Sequence, residues 1–329
     1  GDDCVERYVE ACADLGRSCP LGATLSYSNA GYVIAGRIVE ILTGQIWDDA
    51  LREQIIEPLG LTHVCTLPED VLRFSAATGH IGGQDGGEIT PTPVWGLPRS
   101  AGPAVLISAR AADVVAFGRA HLDGGLLGKE SSEAMREPQA AVPNPHLLGG
   151  HWGLGWILDC VDDRWIAQHA GNTFGQASML WAVPDTGTVA CLLMNGGHTD
   201  GMLKAVGREL LGELCGLRLP APPEPPAVPP AVDPAVFAGR YVREGLVVTV
   251  TADARMRVEV TGDIAVKEEP FEVPLVPYSR SEAGTTFLCR RPGEPIWTPL
   301  VFYTLPDGSP YLHFSVRATP RVAAVPRAS

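Results

Sequence analysis

The chain has 329 residues, 45% of them hydrophobic and 19% charged, enough to bury a sizeable core and to fill about two domains. Its 37 glycines and 29 prolines break the apolar residues into short bursts, so no stretch reaches the roughly 18 apolar residues of a membrane span. Acidic residues outnumber basic ones by 38 to 25, and only Lys129, Lys204 and Lys267 are lysines, a balance that argues against a nucleic-acid partner.

The eight cysteines are scattered, with no C-x-x-C pair, and read as reduced thiols in a cytoplasmic fold. The chain opens Gly-Asp-Asp-Cys, with neither an initiator Met nor a basic-then-apolar leader, and is expected to be processed or truncated.

From Asn29, the apolar residues Tyr32, Val33, Ala35, Ile38, Val39 and Ile41 recur at helical spacing up to Thr43-Gly44 and predict a buried helix. A second helix is expected from Asp48 to Ile56, followed by a Gly-rich loop over 78–102 that holds His80 and four prolines. Ser108 is the expected N-cap of a third helix over 109–122, which Gly124-Gly125 ends. Four short runs then follow, at 153–160, 164–169, 173–183 and 188–194. They are joined by turns at Asp162-Asp163, Ala170-Gly171-Asn172 and 184–187, the pattern of an antiparallel meander. Residues 202–214 complete this region as a helix.

Residues 220–234 carry a proline density that favours an extended spacer and marks a domain boundary. Beyond it, strands are expected around Tyr241 and over 246–250, 255–260, 286–289, 300–305 and 311–316, a small all-β barrel or sandwich. The expected organisation is therefore 1–219, a linker at 220–234, and 235–329.

Two short motifs could carry chemistry. Tyr27-Ser28-Asn29 lies in a loop just before the first long helix, where Ser28 or Asn29 could equally serve as an ordinary cap. His169-Ala170-Gly171-Asn172 closes one strand and opens the next, where a plain hairpin turn would also account for it. His146 and His151 sit five apart without a carboxylate pair, and His198-Thr199-Asp200 reads as a helix cap, so no metal is expected. The sequence contains no G-x-S-x-G elbow, G-x-G-x-x-G or P-loop, so an α/β-hydrolase, a Rossmann enzyme and an NTPase are set aside.

In this order, the two motifs resemble those of the serine β-lactamase and penicillin-binding protein superfamily, whose signatures are S-x-x-K, then S-D-N or Y-x-N, then K-T-G. His169-Ala170-Gly171 is similar to the H-x-G variant found in class C β-lactamase-like enzymes and D-alanyl-D-alanine peptidases. The neighbouring residues agree: Ala30-Gly31-Tyr32, Glu57-Pro58-Leu59-Gly60-Leu61, Ser108 leading into Asp113, Gly153-Leu154-Gly155-Trp156, and Pro184-Asp185-Thr186-Gly187. The matches span 21–216, and residues 235–329 resemble a lipocalin-like β-domain that some members append.

The resemblance implies an α+β fold of the β-lactamase/transpeptidase type, an antiparallel sheet flanked by helices with its N-terminal part missing, plus the small barrel. No S-x-x-K exists here, since Leu126, Gly201 and Ile264 lie three residues before the lysines. The nucleophile is expected on a companion N-terminal segment, and this chain alone is expected to be inactive.

By resemblance, Tyr27 and the absent lysine would share the serine's proton, with His169 assisting if protonated or hydrogen-bonded to the phenol. Asn29 would hold lysine and substrate amide, and the Asn172 N–H would be one oxyanion donor. Gly171, Asn172 and Thr173 would line the substrate, with the strand from Thr173 onward pairing with it.

The implied function is a serine acyl-enzyme hydrolase or acyltransferase acting on an amide, ester or β-lactam carbonyl, with a small-molecule or peptide acyl substrate and no cofactor. The alternatives are a transacylase or peptide cyclase with an amine acceptor, and a non-catalytic binding fragment of the same fold. A lone fragment is expected to expose a sheet edge and an apolar face, and so to aggregate or need a partner.

Overall fold

The computed structural model describes residues 1–82, 87–93, 96–197, 199–262 and 269–322. The chain forms two compact units: Gly1–Leu15, Ser28–Pro138 and Gly153–Leu219 make the first, and Gly16–Tyr27, Gln139–Trp152 and Pro220–Ser329 the second. Two stretches that precede the Pro-rich segment, 16–27 and 139–152, therefore count with the C-terminal unit. Gly83, Gly86, His198 and Lys267 lie outside the described residues.

In the first unit, α1 (Cys4–Ala11) packs on α2 (Asn29–Thr43). Helix α2 starts where Ser28 accepts the Gly31 N–H at 3.0 Å, and it stops at Gly44, whose φ of 70° is the left-handed value that glycine tolerates at a C-cap. Its inner face holds Val33, Gly36 and Glu40, with the Glu40 carboxylate accepting from Trp47 N at 3.0 Å and from Arg37 at 3.1 Å. The remainder of the helix departs from the expected burial. Ile34, Ile38, Ile41 and Leu42 are 40%, 51%, 65% and 79% exposed, an apolar stripe at i, i+4, i+7 and i+8 without cover.

The predicted second helix is α3 (Trp47–Leu51) running into a π-helical turn, Arg52–Ile56. Asp48 within it is buried and holds the Arg99 guanidinium through Nε at 3.0 Å and Nη2 at 2.7 Å. Part of the predicted 78–102 loop is ordered as a hairpin, His80–Gly82 against Ile89–Pro91, made possible by Gly82 at φ 92°. Ser108 is not a helix cap. It pairs with Cys65 in a short bridge, and α4 (Ala111–Asp123) starts after Arg110, whose backbone is extended. Lys129–Met135 forms α5.

The sheet of this unit contains β1 (Ile157–Val161), β2 (Arg164–Thr173), β3 (Gln176–Val183) and β4 (Thr188–Met194), paired antiparallel in sequence order. Alternation sorts its side chains. Leu158, Ala167, Leu180 and Ala182 meet Val114 and Phe117 of α4 on one face, while Ile166, Trp181 and Val183 meet Leu211 of α6 (Thr199–Cys215) on the other. Each helix approaches through a glycine: a Cβ at Gly118 would lie 2.8 Å from Val189, and one at Gly207 2.8 Å from Trp181. Strand β4 ends the sheet, reads Thr-Val-Ala-Cys-Leu-Leu-Met, and carries neither charge nor proline.

In the second unit, nine antiparallel strands form a nearly closed barrel around Tyr241, Met256, Phe287, Phe302, Leu312 and Phe314. They are β5 (Gly239–Arg243), β6 (Leu246–Val250), β7 (Arg255–Val260), β8 (Phe271–Pro274), β9 (Val276–Ser281), β10 (Gly284–Cys289), β11 (Thr298–Thr304), β12 (Pro310–Phe314) and β13 (Arg317–Val322). The last predicted strand stops at Phe314, because Ser315 and Val316 take left-handed φ values of 50° and 57° and turn the chain into β13. All eight cysteines carry free thiols. Among the described residues, no helix is long and apolar enough to cross a membrane.

Candidate active site

The H-x-G motif lies inside a strand, not at a turn. Strand β2 continues through Thr173, with Ala170, Gly171 and Asn172 in register with Met179, Ser178 and Ala177, and the two-residue turn falls at Phe174-Gly175. Gly175 at φ 67° permits that turn, and a Cβ at Gly171 would lie 2.4 Å from Ser178 Oγ, so a larger residue there needs the Ser178 hydroxyl to rotate away. The expected docking along the strand from Thr173 onward fails for the same reason: Thr173 ends β2, and β3 is paired on both sides. Strand β1 stops opposite Gln168, so 169–173 of β2 has one strand partner among these ladders, with Gly171 and Asn172 exposed and Thr173 half-buried.

His169 is half-buried, and its Nδ1 lies 2.8 Å from the Ala170 carbonyl oxygen. A carbonyl only accepts, so Nδ1 carries the hydrogen and Nε2 holds a lone pair. Burial pushes the imidazole below its ordinary range, only partly offset by the Ala170 bond, so at neutral pH the ring is an uncharged acceptor. The lowered pKa argues against a protonated His169 as the helping cation.

The turn beyond β2 is tied down from outside the sheet. His80 N donates to the Gly175 and Asn195 carbonyls at 3.1 and 3.0 Å, Gln176 Nε2 to Ala77 O at 2.9 Å, and Asn195 Nδ2 to Thr78 O at 3.1 Å. His80 gave no sequence signal for this role, since its partners are about a hundred residues away.

The Tyr27-Ser28-Asn29 motif straddles the division of the chain. Ser28 caps α2 and Asn29 is its exposed first residue in the first unit, whereas Tyr27 belongs to the second. There, Tyr27 N donates to Val316 O at 3.0 Å, the Trp152 ring meets its ring edge-on at 5.8 Å, and the Arg317 guanidinium carbon stands 5.2 Å from the ring centroid. Tyr27 and His169 thus fall in different units. His146, the other histidine weighed from sequence, packs edge-on against Tyr278 at 5.4 Å, and burial lowers its pKa. Among the described residues, no three His, Cys, Asp or Glu side chains converge as metal ligands.

An antiparallel sheet between helices, with an H-x-G strand and a tyrosine-led helix start, defines a hydrolase-like fold of the β-lactamase and penicillin-binding protein type. The chain belongs to the beta-lactamase family, whose model matches residues 2–212. It is 47% identical over 254 residues to "Penicillin-binding protein 4" of Amycolatopsis lactamdurans, an alignment covering 74% of this chain and 66% of that protein. The chain therefore spans about two thirds of that relative's length. The crystal structure of SurE superposes with a TM-score of 0.72 at 26% identity, covering 96% of this chain and 72% of SurE. The octameric penicillin-binding protein homologue from Pyrococcus abyssi shares the fold at a TM-score of 0.53 and 18% identity, covering 96% of this chain and 70% of the homologue.

Proposed function

We propose that this chain supplies the second and third motifs of a serine acyl-enzyme catalyst, whose nucleophilic serine and lysine lie on a companion N-terminal segment. The observation that carries the reading is His169, half-buried on β2 with its Nδ1 against the Ala170 carbonyl and next to the Gly171–Thr173 stretch of that strand, in a chain of this family. A serine hydroxyl needs a base as it attacks an acyl carbon. The Oγ–C bond forms while the proton passes to the lysine and Tyr27, and the same proton leaves with the departing group as the carbonyl reforms. Asn29 holds the lysine and the substrate amide, Asn172 N–H stabilises the oxyanion, and the substrate extends along 171–173.

The uncovered stripe on α2 and the uncharged edge of β4 support the companion segment, since a helix laid on the one and a strand added to the other would bury both. Water as acceptor gives hydrolysis, and an amine gives acyl transfer. A time course of acyl-enzyme decay with and without added amine distinguishes them.

The test begins with the coding sequence upstream of Gly1. The full-length product is then treated with a fluorophosphonate and with a penicillin, and adducts are located by mass spectrometry. An adduct on the serine of an upstream S-x-x-K supports the proposal. A full-length product with no S-x-x-K and no adduct refutes it in favour of a binding fragment.

A further inference from the structure

The second unit gives Tyr27 a setting that the two motifs alone do not account for. Its carrier segment is laced to the barrel residue by residue. Cys19 and Ala23 pack on the cluster of Leu305, Tyr311 and Ala318, and Thr24 Oγ1 and the Tyr303 hydroxyl are 3.1 Å apart. Ser26 Oγ accepts the Ala318 N–H at 3.2 Å, and Tyr27 N–H reaches Val316 O at 3.0 Å. Val316 accepts that bond from a left-handed φ of 57°, a conformation a β-branched residue takes only under constraint. The strained turn thus lies between the phenol-bearing segment and Arg317, the next residue.

Arg317 is half-buried, and among the described residues no carboxylate pairs with it. Its Nη1 donates to Ser315 O at 3.3 Å, and the guanidinium lies over the Tyr27 ring. A second half-buried guanidinium, Arg243, repels it, and Arg243 also lacks a carboxylate among the described residues. Burial and that repulsion push Arg243 down to about 10, and burial lowers Arg317 while Tyr27 opposes the shift. Two half-buried like charges without an acid weaken a fold, so Arg317 gains little for stability where it stands.

We propose that Arg317 is a positioning residue for Tyr27, clamping the phenol ring against Trp152 from the strained Ser315-Val316 turn. This rests on the reading of Tyr27 as a proton-transfer group. Holding the ring by contacts to a guanidinium and an indole sets the direction of the phenol oxygen, and proton transfer is sensitive to that direction. The lacing of 16–27 to the barrel fixes the backbone, and Arg317 fixes the side chain.

The experiment uses the full-length protein carrying [ζ-13C]tyrosine. The Tyr27 resonance is assigned by its loss in Tyr27→Phe, and acylation by a fluorophosphonate is timed in parallel. Arg317→Met should move the Tyr27 resonance and slow acylation about ten-fold, while Arg317→Lys, which keeps the cation, should restore most of both. In a Tyr27→Phe background, Arg317→Met should cost less than about two-fold, because its effect passes through the phenol. An unmoved resonance in a folded Arg317→Met protein overturns the proposal. So does a full ten-fold loss that persists without the Tyr27 hydroxyl. If the wild type is not acylated at all, the serine acyl-enzyme reading fails, and the resonance alone still decides whether Arg317 holds Tyr27.

Discussion

His169 Nδ1 lies 2.8 Å from the carbonyl oxygen of the next residue, Ala170; this contact sets the tautomer, while burial, working against it, lowers the pKa of the imidazole. The ring should keep its proton on Nδ1 when neutral and should take up a second proton at a lower pH than an exposed histidine does. 15N correlation spectra of the ring, followed from pH 8 to pH 5, check this. An Nε2–H tautomer at neutral pH, or protonation at the ordinary histidine value, would contradict it.

Acid should destabilise both units through buried histidines. His121, packed between Phe117 and Trp156, is lowered by burial and by Arg136, and His313 in the barrel is lowered by burial to about 4. The folded values lie below the unfolded one, so the unfolded chain takes up protons first. Stability is therefore full above the ordinary histidine range, falls as pH drops below about 6.5, and levels off for His313 below about 4. At pH 5 His313 alone should cost about 2 kcal/mol. Urea titrations at pH 7.5 and 5.0 measure it, and His313→Phe should flatten the difference.

Alanine at Gly118 or Gly207 should destabilise, although alanine favours a helix by about 1 kcal/mol. The new methyl would meet Val189 or the buried Trp181 ring at 2.8 Å, and overpacking of that kind costs about 1–3 kcal/mol. Chemical denaturation of the two variants is the measurement. A net gain in either would show that the helix can lift off the sheet cheaply.

Asp48→Ala should cost about 2–3 kcal/mol, because it strips two charge-assisted bonds from Arg99 and leaves the guanidinium with Asp2 alone, at 2.9 Å. Arg99→Ala should cost a similar amount, and the double variant less than the sum of the two. Additive losses would mean that the pair does not act as a unit.

Ile38→Glu with Ile41→Glu should leave the stability of this chain within about 0.5 kcal/mol and reduce its self-association, since both side chains face solvent. In the full-length protein the same pair should destabilise strongly, because the companion segment would then cover the stripe. Sedimentation of the two forms, with thermal midpoints, gives the comparison. Equal tolerance in both would count against a companion on α2.

Much of this protein was legible from local signals. Ser28 and Gly44 bound α2 by capping chemistry, Asp162-Asp163 turns β1 into β2 through two left-handed residues, and strict alternation along β2 and β3 sorts the side chains to two helix layers. Such features depend on neighbours within a few residues, which a sequence displays directly. The boundaries failed where a distant strand competed. Ser108 resembled a cap until Cys65 claimed it, and Ala170-Gly171-Asn172 resembled a turn until pairing with Met179, Ser178 and Ala177 placed it inside a strand.

Tertiary structure alone decided the surroundings of the candidate site. Tyr27 precedes the helix it was read with, yet its amide, ring face and ring edge are held by Val316, Arg317 and Trp152, residues that sequence spacing cannot connect. Helical period predicted an apolar stripe on α2 but not its exposure, because periodicity records which residues share a face and only packing determines what lies against it. Sequence determined which groups could do acyl chemistry. The fold determined the charge of His169 and placed Tyr27 on the C-terminal barrel, since burial and long-range hydrogen bonds exist only once the chain has closed on itself.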